Sequence, residues 1–188
     1  MQIILMRHGK PDIPETGTLS ANEISHWVKQ YNAAPVTSEN LPSTEITAIA
    51  RQCNIVVCSD LPRSISSAKM LGIKTIHYAE SLYREMGLPY GQFFSPRLPP
   101  MVWVVFFRIL WHFGYSSNSE SVRAAKRRVT EAVNKLISMA NEHESVLLVG
   151  HGYLNRYIAK ELQSFGWKGP TRPGNTYWGF GIYEKNKS

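Results

Sequence analysis

Gln2-Ile-Ile-Leu-Met6-Arg7-His8-Gly9 lies near the start of the chain, and Val146-Leu-Leu-Val149-Gly150-His151-Gly152 lies near its other end. In each stretch a short run of branched apolar residues leads into a histidine beside glycine. Unbroken apolar runs of this length read as strands buried on both faces, as in a parallel sheet covered by helices. Each histidine then sits where a buried strand gives way to a loop. Open α/β sheets bind ligands in the crevice at those carboxyl ends. A glycine beside each histidine lets backbone approach a ligand closely. Two imidazoles drawn from opposite ends of the sequence make a candidate site.

Other strands and helices fall between and around these two. Ile55-Val-Val-Cys58 is another apolar run, and Thr75-Ile-His-Tyr78 is a further strand candidate. Ser20-Ala-Asn-Glu23 is a capping box ahead of Ile24, Trp27, Val28 and Tyr31 at helical spacing, predicting a helix packed on the sheet after the first strand. Arg63 to Leu71 reads as a helix, with Pro62 suited to its first turn. Val122, Ala125, Val129, Val133, Leu136 and Ile137 mark a long helix, Gly152 to Leu162 another, and Thr176 to Glu184 alternates like a late strand. Strands alternating with helices indicate a layered α/β fold.

At 188 residues the chain fits one domain, residues 1–188, with a sizeable core. There is no internal repeat or low-complexity run. Arg7 interrupts the first apolar run too early for a signal peptide, so the expected location is cytoplasmic. Cys53 and Cys58 read as reduced thiols, not spaced as a metal site. A formal charge of +7 admits attraction of anionic substrates, but most of it reads as scattered solvated surface, including Lys126-Arg127-Arg128 and the tail lysines Lys185 and Lys187. No nucleic-acid motif is present, and no nucleic-acid partner is expected.

Three further groups join the histidines: Cys58-Ser-Asp-Leu-Pro-Arg63, Leu82-Tyr-Arg-Glu85, and Glu120-Ser121 with Arg128 eight positions beyond the glutamate. With Arg7-His8-Gly9 and Gly150-His151-Gly152, their order and separation resemble the histidine phosphatase superfamily, the phosphoglycerate-mutase-like or two-histidine phosphatases, over almost the whole length. The resemblance implies a three-layer α/β/α sandwich. Its sheet is mostly parallel with one antiparallel strand, and a helical insertion falls near 95–120. It also implies His8 as a nucleophile forming a phosphohistidine that water cleaves. Arg7 and Arg63, with His151, would bind the phosphoryl oxygens, and His151, if protonated, would stabilise transition-state charge. Neighbouring arginines would push the His8 pKa down. Glu85 is the implied proton donor, which requires a carboxyl titrating closer to neutrality; a surface glutamate paired with Arg84 is the competing reading. Ser59 more simply caps the Arg63 helix, Glu120, Ser121 and Arg128 orient the long helix, and Asn175 either braces the His8 loop or forms a plain turn.

This chemistry needs no cofactor and no metal. A metal site built from His8 and His151 lacks carboxylate companions at ligand spacing. His26, His77, His112 and His143 read as structural or exposed. The expected partner is a small phosphorylated molecule; a phosphoryl-retaining mutase and a non-catalytic phospholigand-binding protein are the alternatives. Three departures bear on substrate, not on phosphoryl chemistry. Lys10-Pro-Asp-Ile-Pro14 stands where the family has a tryptophan-asparagine pair, a Gly-Asp-x-Pro-Leu-Thr stretch is unrecognisable, and Gly87-Leu-Pro-Tyr-Gly91 replaces an acidic loop. They count against a glycolytic mutase.

Met101 to Tyr115 is nearly all apolar, with Arg108 and His112 four apart on one helical face. It is shorter than the roughly 20 residues of a membrane span. A largely buried helix with one polar stripe is the simplest reading. A cap over the site is next, with Trp103, Phe106, Phe107 and Trp111 walling the mouth and Arg108 meeting a second anionic group. An interfacial helix comes third, because the apolar residues run nearly all the way round; no stable membrane association is expected.

Overall fold

The computed structural model describes residues 1–14 and 17–186, so Lys187 lies outside the described residues. The fold is mixed α/β. Among the described residues, strands β1 (Gln2–Arg7), β2 (Ile55–Ser59), β3 (Tyr78–Glu80), β4 (Ser145–Gly150) and β5 (Phe180–Glu184) form one sheet in the order β3-β2-β4-β1-β5. β1, β2, β3 and β4 run parallel, and β5 lies antiparallel on β1. The predicted strands are there, with the Thr75–Tyr78 candidate displaced to Tyr78–Glu80 and the late strand trimmed to its second half.

Side chains alternate across the pleat, so each strand feeds two cores. Ile3, Leu5, Val57, Val146 and Leu148 face helices α5 (Val122–His143) and α6 (Gly152–Ser164). Ile4, Met6, Val56, Cys58, Leu147 and Val149 face α2 (Thr44–Gln52) and α3 (Pro62–Met70) through Ile46, Ala50, Ala68 and Leu71. Both faces are covered, which is why β1, β2 and β4 read as unbroken apolar runs.

Two helices leave this sandwich. α1 (Ile24–Ala33) follows a 3-10 turn, Ala21–Glu23, whose capping box forms: the Glu23 carboxylate accepts from the Ser20 N–H at 2.8 Å. The predicted packing of this helix on the sheet is not what the fold shows. Ile24 is buried instead with Leu19, Ala21, Trp103 and Phe107, in a third cluster shared with α4 (Pro100–His112). α2 has no counterpart among the sequence expectations. Its signal is short: Ser43 Oγ accepts from the Ile46 N–H at 3.3 Å, and only Ile46 and Ala50 are buried.

Candidate active site

Strand register lines up the functional residues before any side chain is considered. Arg7 pairs with Gly150 across β1 and β4, and Cys58 pairs with Val149 across β2 and β4. The carboxyl ends of three adjacent strands therefore stand level. His8 follows the first, Ser59 ends the second, and His151 follows the third. The His8 N–H bonds to the Gly150 carbonyl at 3.1 Å, continuing the ladder one residue past the strand. The His8 and His151 rings meet edge-on with centroids 5.0 Å apart.

Hydrogen bonds fix the state of His8. Nδ1 lies 2.7 Å from the Gly9 carbonyl, an acceptor, so Nδ1 carries the proton. Nε2 accepts from the Arg63 Nε–H at 3.3 Å, so its lone pair is free of a proton. His8 is 2% exposed, and its pKa falls to about 3, first through burial and then through Arg63, with a smaller push from Arg7. The sequence anticipated the direction; burial outweighs the like-charge effect. His151 is fully buried and held neutral by burial, Arg63 and His8, in that order. Its Nε2 shares a 2.8 Å hydrogen bond with Ser59 Oγ.

Arg63 enters from the first turn of α3 with Pro62 at the helix start, as the sequence suggested. Its side chain is buried, and Nη1 donates to the Tyr31 carbonyl at 3.0 Å and to Asn32 Oδ1 at 3.2 Å, above the Tyr31 ring at 4.8 Å. Arg7 lies 4.5 Å above the Tyr177 ring and donates to the Asn175 carbonyl. Among the described residues neither guanidinium forms an ion pair. A buried guanidinium satisfied by neutral acceptors alone keeps a charge whose desolvation costs several kcal/mol. Arg7 is half-buried, and its Nε has no hydrogen-bond partner among the described residues; the two guanidiniums stand beside two neutral imidazoles.

Glu85 does not pair with Arg84, which forms a two-pronged bridge to Asp60 at 2.6 and 2.7 Å. Instead its carboxylate accepts the N–H groups of Tyr153 at 3.0 Å, Leu154 at 2.8 Å and Met86 at 3.0 Å, capping the first turn of α6 beside His151. Glu85 interacts electrostatically with Arg63 and Arg108, which places it at the site. Ser59 does more than support the α3 turn, where its Oγ accepts the Leu61 N–H at 3.2 Å, since it also holds His151. Glu120 and Arg128 pair through both guanidinium arms, at 2.6 and 3.0 Å, and Ser121 caps α5 by accepting the Ala124 N–H at 3.2 Å. Arg128 also ties the Leu82 and Arg84 carbonyls, so this pair anchors the segment carrying Glu85. Asn175 is a brace: its side chain takes two hydrogen bonds from Arg156, and its carbonyl takes one from Arg7.

Sequence reasoning missed the aromatic cover and the polar supports. Tyr177 lies 6.0 Å from the His8 ring, centroid to centroid, and Tyr31 hydrogen-bonds with Tyr177, its own pKa raised to about 12 by burial. Asn155, buried one helical turn past His151, donates to the Met6 carbonyl at 3.0 Å and so joins α6 to the end of β1. Its i+4 spacing from His151 was the available signal. Gly9 has a steric reason as well: a Cβ there would fall 2.3 Å from the Trp178 ring. Trp178 holds a left-handed backbone (φ 62°), strain of the kind that a surrounding structure maintains at functional sites.

The α4 helix does not wall this site as anticipated. Trp103 and Phe107 are buried against α1, and Trp111 is buried against α5. Arg108 donates to the Met86 and Gly87 carbonyls at 3.0 Å each, stacks over Tyr153 at 4.4 Å and interacts electrostatically with Glu85. Nor is α4 largely buried, since only Trp103, Phe107 and Trp111 of it are.

Residues 3–178 match the model of the histidine phosphatase superfamily, branch 1. The chain belongs to that superfamily. No curated protein matches it. Solved structures share the fold at low identity. A Mycobacterium tuberculosis open-reading-frame product is 18% identical, with TM-score 0.58 over 96% of this chain and 89% of that one. The mycobacterial glucosyl-3-phosphoglycerate phosphatase is 20% identical, with TM-score 0.56 over 87% and 79%. A candidate α-ribazole-5′-P phosphatase from Escherichia coli is 16% identical, with TM-score 0.59 over 86% and 79%.

Proposed function

We propose that this chain is a phosphomonoester hydrolase working through a phosphohistidine at His8. The observation that carries the reading is the pair of guanidiniums, Arg7 and Arg63, which form no ion pair among the described residues, around a neutral imidazole whose Nε2 lone pair faces Arg63. A phosphoryl group entering there gains charge-assisted, paired hydrogen bonds from both arginines. As Arg63 transfers its Nε–H from His8 to a phosphoryl oxygen, the lone pair is released for attack on phosphorus. Bringing in a dianion reverses the charge balance that holds His151 neutral, so a protonated His151 becomes the favoured state and donates to the developing charge. Phosphoryl transfer asks for positioning and electrostatics, which this set supplies from side chains alone.

Glu85 is the proposed proton donor to the leaving alkoxide, held beside His151 by the N-terminus of α6. Water then cleaves the phosphohistidine, and Glu85 accepts its proton. A fold neighbour, the mycobacterial glucosyl-3-phosphoglycerate phosphatase, forms a complex with inorganic phosphate, which agrees with a phosphate-binding reading of this chain. The burial of His8 also suits a mutase, which must keep water from its phosphohistidine.

Purified protein incubated with a panel of sugar phosphates, nucleotides and cofactor-precursor phosphates, with and without chelator, separates the readings. Free phosphate, insensitive to chelation, together with an acid-labile, base-stable phosphoryl label that His8→Ala abolishes, is the expected result. Isomerised ester without free phosphate would assign a mutase. Release of no phosphate from any ester would assign a binding protein. Near-normal turnover by His8→Ala would remove His8 as the nucleophile.

A further inference from the structure

α4 resolves a pattern that the sequence leaves ambiguous. At about 100° per residue its apolar positions divide into two arcs. Trp103, Phe107 and Trp111 lie on the inner arc and are buried. Met101, Val102, Val105, Phe106, Ile109 and Phe113 span an outer arc of about 140°, and all are exposed, with Phe113 at 86% and Met101 at 64%. Phe93 packs edge-on to Phe106 with centroids 6.5 Å apart, and beside it in the chain Phe94 is fully exposed, which extends the patch. Phe94 and Phe113 each leave on the order of 150–250 Å² of ring surface in water, so the whole exceeds the few hundred Å² that a monomeric surface ordinarily shows.

The segment that carries the patch has charge of one sign, and its Arg97 pairs with Glu23 beside α1. From Met86 to Ser119 the chain contains no aspartate or glutamate. Directly after it, exposed Arg123, Lys126 and Arg127 stand on the first turns of α5, lining a hollow of about 450 Å³ with Val122 and Thr130. We propose that the outer face of α4 docks on an anionic phospholipid surface, its apolar side chains entering the acyl boundary while the α5 cations meet lipid phosphates. The inference does not depend on the phosphatase reading.

A second copy fits this face less well. Two copies, each of net charge +7, would meet with like charge. A bilayer interface needs no shape complementarity, and apolar insertion joined to basic attraction is how surface-lying helices bind it. No helix among the described residues is long and apolar enough to cross a membrane, so the association would be superficial.

Co-sedimentation of the full-length protein with vesicles tests this directly. Phosphatidylcholine vesicles with and without phosphatidylglycerol should differ by about a hundredfold in capture, since each basic side chain at an anionic surface contributes about fivefold, and salt should release the protein. The variant with Val105→Ser, Ile109→Ser and Phe113→Ser should lose about tenfold or more in binding while melting at the parental temperature, because these side chains are exposed. The variant with Arg123→Glu, Lys126→Glu and Arg127→Glu should lose the preference for phosphatidylglycerol, and it decides the question should the serine variant fold poorly. Failure of the parent to sediment with anionic vesicles overturns the proposal, as does equal capture by both kinds. A dimer in analytical ultracentrifugation that the serine variant dissociates would give the face to a second copy and overturn it too.

Discussion

Lowering the pH from 7.5 to 5.5 should weaken the folded state through the two buried histidines. The His8 pKa is about 3 in the folded chain against 6.5 ordinarily. Between those values the unfolded chain binds a proton that the folded chain refuses. The stability is therefore present above about pH 6.5 and is lost as the pH falls towards 3. At pH 5.5 about ten in eleven unfolded imidazoles are protonated while the folded one is not, which costs about 1.4 kcal/mol relative to pH 7.5. His151 is shifted in the same direction, and its ring stands 5.0 Å from that of His8, so a proton on either opposes one on the other. A neutral His151 adds to the loss with the same sign. Glu23, whose carboxylate is held at about 2 chiefly by Ser20, contributes its own loss only below about pH 4.5, outside this window.

Urea unfolding at pH 7.5, 6.5 and 5.5 measures the loss. His8→Asn and His151→Asn should each reduce it, whatever they do to stability at pH 7.5. Orthophosphate should shrink the acid loss in the parent, because a dianion between Arg7 and Arg63 favours imidazolium in the folded state. An acid loss unchanged in both histidine variants would refute the assignment of two neutral, buried imidazoles.

Arg108→Ala should lower kcat more than it raises KM and should destabilise the fold by about 2–3 kcal/mol, because it frees the Met86 and Gly87 carbonyls that follow Glu85; steady-state kinetics and thermal melting check this. Ser59→Ala should reduce kcat about tenfold or more with KM little changed, as His151 loses the hydroxyl that orients its ring, and Ser59→Thr should restore part of the rate. Glu85→Gln should slow esters with poor leaving groups far more than p-nitrophenyl phosphate, whose leaving group needs no proton; equal slowing, with a stability loss of about 1–2 kcal/mol, would leave Glu85 only as the cap of α6.

What the sequence disclosed follows from how locally each feature is encoded. β1, β2 and β4 are buried on both faces, so the apolar runs themselves announce them, and the motif residues sit at fixed offsets from the strand ends. β3 is half exposed and three residues long, too brief for a pattern, and the Thr75–Tyr78 guess fell just short of it. α1 was legible as a helix from its capping box, but its destination was not. Whether Ile24 meets a sheet or Trp103 depends on where α4 lies, a contact across some 80 residues that no local period encodes. The backbone role of Arg108 was not legible for the same reason: proximity to Glu85 in sequence does not disclose a clamp on the Met86 and Gly87 carbonyls.

The cover over the nucleophile was the least legible part, and it governs how the site must work. Tyr177 and Tyr31 come from opposite ends of the chain and hydrogen-bond to each other, with Tyr177 beside His8, Arg7 stacked on the Tyr177 ring and Arg63 on that of Tyr31. A guanidinium stacks through its face and donates in its plane, so under the proposed mechanism each arginine holds a phosphoryl oxygen without leaving its tyrosine. Asn175, fixed by Arg156, restrains the Tyr177 segment that this stacking supports. On that reading an anion that bridges both guanidiniums gains charge-assisted hydrogen bonds from each, whereas a neutral molecule gains neither, and the charges that keep the imidazoles neutral are the ones that would favour a phosphoryl group.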